Sequence, residues 1–460
     1  MNWQDVGLAM LPEHLLLVGI VLLIVLELVS DRPRGALALA VLIVVAATAA
    51  AALLATNGYT SAPFAGHFSV NPATLTAKAL LLALVLPTLL LSRDEFSETR
   101  FHILLLSSVY GVCLLLSADS FLTMFLGLEI MSLPVYVLVL LAFQRPEGPE
   151  AALKYLVLSS AATATFLMGV SFLYGGTGTL ALTAFSQALG SPNTLAQAAV
   201  ALVVVAFFLK AAIVPFHAWA PDAYEGASVP VTAYMATIVK AGVLLAAARL
   251  FSTTPVGRPM ADLLTLLPLI SMVWGNLAAI RQTSFRRMIA YSSIAHAGYL
   301  FFAFLGAGPG RFQAVMFYIL AYALMNLLAF ASLPRGSDDA ESDRLDSLKG
   351  LYQRRPFAAL MLGLAMLSLA GIPPLPGFVA KFLIFKNVIA AGYTVYAVLG
   401  LIGSYLGIYF YLRVIQYAFM SADAVARPAN QRALALSASV LCLVPAVLVA
   451  LFPGWFIGLL

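Results

Sequence analysis

Runs of about twenty apolar residues recur along the whole chain, each long enough for a helix to cross the roughly 30 Å hydrocarbon core of a bilayer. The first six are Leu11 to Val29, Gly35 to Ala55, Pro72 to Leu91, Phe101 to Ser117, Phe121 to Phe143 and Ala151 to Tyr174. An overlong stretch from Leu195 to Tyr224 follows, then Val231 to Leu250, Leu263 to Ile280, Met288 to Leu305 and Phe312 to Leu333. A second overlong stretch, Phe357 to Ala391, precedes Thr394 to Phe419 and Ala433 to Leu451. Lipid offers no hydrogen bonds, so a spanning segment must satisfy its own backbone, and these runs predict helices. The expected fold class is an all-α polytopic membrane protein with about 14 transmembrane helices.

The remaining composition excludes several functions. Of 460 residues, 62% are hydrophobic and only 10% charged, and the net charge of +5 is scattered over short loops. A nucleic-acid surface would gather that charge into a patch, so no nucleic-acid partner is expected, and the lipid bilayer is. Cys113 and Cys442, both within apolar runs, are too few for a disulfide framework, a zinc site or an iron–sulfur cluster, so no metal and no redox centre is expected in this chain. The first run lacks a basic flank and a small-residue cleavage site, which predicts a retained helix and not a signal peptide.

Arginine and lysine alternate between loops. Loops after odd-numbered runs hold Arg32, Arg34, Arg93, Arg100, Arg145, Arg281, Arg286, Arg287, Arg335, Arg344, Lys349, Arg354, Arg355, Arg427 and Arg432, and the other loops hold few basic residues. By the positive-inside rule both termini are expected on the outer, periplasmic side. The stretch Pro334 to Arg355, with Asp338, Asp339, Glu341, Asp343 and Asp346, reads as a solvated cytoplasmic loop.

The two overlong stretches are both interrupted by proline, at Pro215 and within GIPPLPG (371–377), which forbids a continuous helix. Paired broken segments point to a transporter built from inverted repeats. Phe101 to Leu250 and Leu263 to Phe419 would each supply five spans, with the fourth broken, and an odd number inverts the second unit. AAIVPFHAW and AGIPPLPGF share a faint local pattern. The expected division is an N-terminal three-helix segment (1–95), a first five-helix repeat (96–255), a second inverted five-helix repeat (256–422) and a C-terminal helix (423–460).

Four charges interrupt the apolar runs: Glu129 and Lys240 in mid-span, Lys210 and Lys381 beside the two breaks. A charge at the centre of a membrane helix costs about 2.5 to 3.5 kcal/mol on insertion scales, so each needs a reason. One reading is structural: Glu129 neutralises one lysine and the others snorkel to water, which suits Lys78 and Lys154 near span ends. The other is a proton relay, in which desolvation and a nearby carboxylate set each lysine's protonation and the broken helices admit water. Lys210 lies at depth only if its helix resumes beyond Pro215. His296 is a further relay candidate; His217 could instead cap carbonyls freed by the break. Asp222 and Glu225 read as loop fasteners, and the glycines at Gly175 as a turn, because they lack the strand-before, helix-after context of a nucleotide loop.

These residues sit in recognisable blocks: GLEIMSLPVYVL around Glu129, EAALKYLVL around Lys154, KAAIVPFHAWAPDAYEG around Lys210, RRMIAYSSIAHAGY from Arg286, and SLAGIPPLPGFVAKF before Lys381. In this order the chain resembles the antiporter-like membrane subunits of the bacterial proton-translocating NADH:quinone oxidoreductase, respiratory complex I, and among them subunit N. The resemblance implies fourteen helices and a membrane-arm subunit that translocates protons while redox chemistry occurs in other chains. It places Glu129, Lys210, Lys240 and Lys381 on the proton pathway, with Lys154 and His296 as lesser candidates. It implies no cofactor in this chain, with NADH, FMN, iron–sulfur clusters and quinone belonging to partner subunits, and partners that are other membrane-arm subunits, including neighbouring antiporter-like ones, in the cell inner membrane. Two departures qualify it: Ala227, Ser228, Val229, Pro230 stands where the family usually has a Pro-Thr-Pro-like turn, and Lys381 stands where some sister subunits carry glutamate. The chain also ends soon after its last span, without the long lateral helix of the distal subunit. The alternatives are a subunit of a cation/proton antiporter, and a non-pumping membrane scaffold whose charges only pair.

Overall fold

The computed structural model describes residues 3–29, 35–93, 95–96, 98–142, 146–251, 258–306, 310–334, 344–421 and 433–459. Arg32, Arg34, Arg145, Arg335, Arg427 and Arg432, and the acidic Asp338, Asp339, Glu341 and Asp343, lie outside the described residues. The elements in order are α1 (Trp3–Ala9), α2 (Leu11–Val29), α3 (Ala36–Thr56), a hairpin of β1 (Ser61–Phe64) and β2 (Phe68–Val70), α4 (Pro72–Ser92), α5 (Thr99–Leu116), α6 (Phe121–Leu140), α7 (Gly148–Thr177), the short α8 (Thr183–Leu189), α9 (Thr194–Ala211) and α10 (Trp219–Gly226). Then come α11 (Val229–Leu250), α12 (Arg258–Ile280), α13 (Phe285–Phe302), α14 (Gly310–Ser332), α15 (Pro356–Ala370), α16 (Pro376–Ala390), α17 (Thr394–Phe419), α18 (Ala433–Leu451) and α19 (Pro453–Leu459).

Among the described residues, thirteen helices are long and apolar enough to cross a membrane. The half-helices α15 and α16, fifteen residues each, together occupy the place of the remaining expected span. The antiparallel β1–β2 hairpin between α3 and α4 falls in a connection for which no strand was expected.

The packing inverts the habit of water-soluble proteins. Helices α11 and α14 are buried on every side and α13 nearly so, whereas α2, α3 and α18, the most apolar in sequence, have only about a third of their residues buried or fewer. Lipid tails do not drive apolar side chains inward, so the centre is left to helices with polar groups to satisfy and small residues that allow close approach. Gly111 shows the second requirement: a Cβ there would run into the backbone nitrogen of Met131, so α5 and α6 pack backbone to backbone.

The two proline breaks share one backbone design. Helix α9 ends with Ala212 in the left-handed region (φ 62°) and α15 with Gly371 in the same region (φ 89°). In both, the next amide reaches back five residues, Ile213 to the carbonyl of Phe208 (2.9 Å) and Ile372 to that of Leu367 (3.1 Å). A cis X–Pro bond follows at the same offset, Val214–Pro215 and Pro373–Pro374. These positions pair AAIVPFHAW with AGIPPLPGF in the register their shared pattern suggests. A left-handed alanine costs about 1 to 2 kcal/mol that glycine avoids, so the first break holds a strain the second does not.

Candidate functional site

Lys210, in the last turn of α9, is the centre of the first cluster. Its Nζ donates to Ser159 Oγ at 2.9 Å, Glu129 Oε1 at 3.2 Å and Ser132 Oγ at 3.3 Å. Glu129 and Ser132 are one turn apart on α6, and Ser159 faces them from α7. A fourth group, Thr163, donates to the same Glu129 oxygen at 2.6 Å. The lysine side chain is 5% exposed and the carboxylate 22%, so this is a largely desolvated ion pair with both partners held by hydroxyls. Pairing is what allows two charges to be buried at all.

The chain resumes past Pro215 as α10, and the carbonyl of Leu209, in the last turn of α9, accepts from Trp219 Nε1 at 3.0 Å as well as from the Ala212 amide. A helix therefore resumes beyond the break, and the Lys210 side chain is buried beside it. His217 Nε2 accepts from Trp274 Nε1 at 3.0 Å, and the ring also hydrogen-bonds the backbone of Pro215 at the break.

Lys240 has no carboxylate beside it among the described residues. It follows a π-helical turn, Met235–Val239, an irregularity in helices that frequently marks functional sites. Its Nζ donates to the Ser293 carbonyl at 2.9 Å and makes a short contact with Ser293 Oγ, which lies 3.3 Å from Tyr224 Oη. Next along α13, Ser292 Oγ meets Tyr411 Oη at 2.5 Å; Tyr411 Oη lies 3.0 Å from His296 Nε2, and His296 Nδ1 lies 2.8 Å from Tyr318 Oη. A neutral imidazole donates from one nitrogen and accepts at the other, so His296 joins the two phenols into one polar chain.

Lys381 completes the set on α16. Its ammonium donates to the carbonyls of Leu369 and Ala370 at 3.1 and 3.0 Å and to Ser404 Oγ at 3.0 Å, and lies 5.3 Å from the centre of the Tyr299 ring. It thus caps the negative end of the α15 dipole, with neutral oxygens in place of a counterion. Lys210 stands before its break and Lys381 after it. The breaks correspond in the chain; the lysines do not, and Trp219 holds at one the capping place that Lys381 holds at the other.

The other charges separate from these. Lys78, expected to reach water, is wholly buried with Glu13 2.5 Å away and the hairpin residue Phe68 over its ammonium, so its side chain does not reach the surface of the chain. Lys154 is 43% exposed and pairs with Glu150 (2.7 Å) and Asp222 (2.6 Å). Arg287 joins the group through Asp222 (2.7 Å) and Glu225 (2.8 Å), so the two acids do fasten α10, between α7 and α13. Burial pushes the Asp222 carboxyl up, but hydrogen bonds from Lys154 and Arg287 outweigh it and hold it below the usual carboxylate range.

Ser132, Ser159, Thr163, Ser293, Tyr411, Tyr318 and Ser404 supply most of the polar contacts, and none stood out in the sequence. The only local signal was Ser159 and Thr163, spaced four apart on one face of an apolar helix.

Broken helices around a buried lysine–carboxylate pair, with further lysines satisfied only by neutral oxygens, define an antiporter-like membrane subunit. Residues 118–407 match the family described as NADH:quinone oxidoreductase/Mrp antiporter, transmembrane region. The chain is 39% identical over 427 residues to NADH-quinone oxidoreductase subunit N of Pelobacter propionicus, covering 93% of this chain and 92% of that one. Its structure is similar to a chain of respiratory complex I from Thermus thermophilus, with TM-score 0.83, 36% identity and coverage of 97% and 98%. A chain of the Mrp complex from a Dietzia species shares the fold at TM-score 0.83 and 23% identity, covering 100% of this chain and 96% of that one. The chain belongs to the NADH:quinone oxidoreductase/Mrp antiporter family and, within it, to NADH-quinone oxidoreductase subunit N.

Proposed function

We propose that this chain is a proton-translocating membrane-arm subunit of a bacterial NADH:quinone oxidoreductase, and that it carries no redox centre itself. The observation that supports this best is the Lys210–Glu129 pair, held by three hydroxyls beside a broken helix. Neutralising Glu129, or drawing it away, leaves the Lys210 ammonium facing only hydroxyl oxygens. A desolvated ammonium without counter-charge gives up its proton more readily, and re-pairing takes one up again. Lys240 with Ser293, the Ser292–Tyr411–His296–Tyr318 chain and Lys381 form the continuation on α11, α13, α14, α16 and α17. Lys154, on the exposed face, takes the lesser role of holding the α10 end of the broken helix.

Units 96–255 and 256–422 act in this reading as inverted repeats, with both termini on the periplasmic side of the inner membrane. NADH, FMN, iron–sulfur clusters and quinone belong to partner subunits, and neighbouring antiporter-like subunits transmit the signal. The test is proton pumping by the assembled complex carrying Lys210→Ala or Glu129→Gln. Loss of pumping with the subunit still inserted is expected, and pumping at the native level would refute the relay. A cation/proton antiporter subunit is the second reading, favoured by the shared Mrp fold. Copurification decides between them: quinone-reducing subunits support the first, antiporter subunits alone the second.

A further inference from the structure

Glu13 and Lys78 stand outside the line from Glu129 to Lys381, on α2 and α4, and nothing above uses them. Both are wholly buried, with Lys78 Nζ 2.5 Å from Glu13 Oε1. No further group joins the contact: among the described residues neither the ammonium nor either carboxylate oxygen has a hydrogen-bond partner outside the pair. Lys210, by contrast, is shared between a carboxylate and two hydroxyls. A pair kept for stability is expected to saturate its donors and acceptors, and apolar residues of similar volume often replace such pairs without loss. This pair lacks that support.

Its surroundings suit a different task. The Phe68 ring lies over Lys78 Nζ, 4.9 Å away, and Phe68 is pinned in place because the hairpin is stitched to the α5–α6 connection by Ser69 N–H to the Ser117 carbonyl (3.0 Å) and Asp119 N–H to the His67 carbonyl (2.9 Å). An aromatic face can hold an ammonium whose counterion has gone. Helix α3, packed on both partners' helices, carries no titratable residue; α5 contributes Tyr110 and Cys113, which feel the charge of Glu13, and Tyr234 lies beyond Cys113.

We propose that Glu13 and Lys78 form an additional proton-holding site at the hairpin-capped end of the N-terminal three-helix segment. In the resting pair, carboxylate and ammonium sum to zero charge. Uptake of one proton from water forms an O–H bond on Glu13 and leaves the ammonium on the Phe68 face, with net charge of plus one; release breaks that O–H bond and restores the pair. No electron moves and no co-reactant besides water is needed.

The proposal rests on the proton-translocation reading, so Lys210→Ala is measured in parallel in the assembled complex. A Glu13→Leu, Lys78→Met double variant is expected to assemble and melt as the native complex does, with at least a twofold fall in protons translocated per NADH oxidised. Native pumping by the double variant, with Lys210→Ala inactive, would overturn this inference and leave the broader reading standing. Native pumping by Lys210→Ala would instead remove the broader reading. Should the double variant fail to assemble, isotope-edited infrared spectra of the native and Glu13→Gln complexes decide. A protonated-carboxyl band that grows on acidification in the native complex and is missing from Glu13→Gln supports the site; no such difference overturns it.

Discussion

Glu129→Gln keeps the side-chain volume and the acceptor for Thr163, and removes one charge. Two unit charges 3.2 Å apart attract by about 5 kcal/mol at an effective dielectric of about 20. Removing one partner of a buried pair costs about 3 to 5 kcal/mol in practice. Glu129 is 22% exposed, so solvent screens part of this and the lower end, about 3 kcal/mol, applies. That loss falls on the charged form of Lys210, which is left facing only the Ser132 and Ser159 hydroxyls. Thr163→Val and Ser159→Ala leave both charges and each remove one hydrogen bond to a charged group, Glu129 in the first and Lys210 in the second, at about 1.5 to 3 kcal/mol. Pumping by complex in proteoliposomes, followed by quenching of a pH-sensitive dye and normalised to NADH oxidation, should therefore fall less in Ser159→Ala and Thr163→Val than in Glu129→Gln, with the last at background. A Glu129→Gln complex as active as the native one, or one less impaired than Ser159→Ala, would refute the argument that the ion pair controls Lys210.

Other perturbations separate the remaining parts. Lys381→Met leaves the Leu369 and Ala370 carbonyls without their donor, at about 1 to 3 kcal/mol each, so both pumping and the melting temperature of the detergent-solubilised complex should drop; unchanged melting would show that the cap is not structural. His296→Phe strands the Tyr318 hydroxyl, leaves Tyr411 with Ser292 alone and should reduce pumping, and Tyr318→Phe should reduce it less; equal native rates in both would remove the histidine from the route. Gly377→Ala drives a Cβ into the Ser368 carbonyl across the second break, an overpacking worth about 1 to 3 kcal/mol, and should separate α15 from α16. Normal melting and pumping by that variant would contradict the close approach. Asp222, whose carboxyl is held below the usual range, contributes stability that is full above its unfolded value of about 3.9 and is lost as pH falls through its lower folded value. The difference in melting temperature between native and Asp222→Asn complexes should thus be constant from pH 7 to about 5 and begin to shrink below about pH 4; a difference that does not shrink at all on further acidification would show that Asp222 acts through packing.

The sequence by itself determined the spans, because length and apolarity are set by the thickness of a bilayer. Leu11–Val29, Thr394–Phe419 and Ala433–Leu451 begin and end where the composition changes. It also determined both breaks, since proline forbids a continuous helix wherever it is packed, and it marked Glu129, Lys210, Lys240 and Lys381 because a charge in an apolar run is costly in any fold. What each charge meets was decided only by the tertiary structure. Glu129 and Lys210 are 81 residues apart, and only the packing of α6, α7 and α9 brings them to 3.2 Å. The hydroxyls that hold them are ordinary serines and a threonine until a neighbouring helix presents a charge. Lys78 illustrates the limit most clearly: near a span end it reads as a residue that reaches water, yet it is buried against Glu13 and under the Phe68 ring of the hairpin. Distance along a chain measures depth in a membrane; it does not measure which other helix stands alongside.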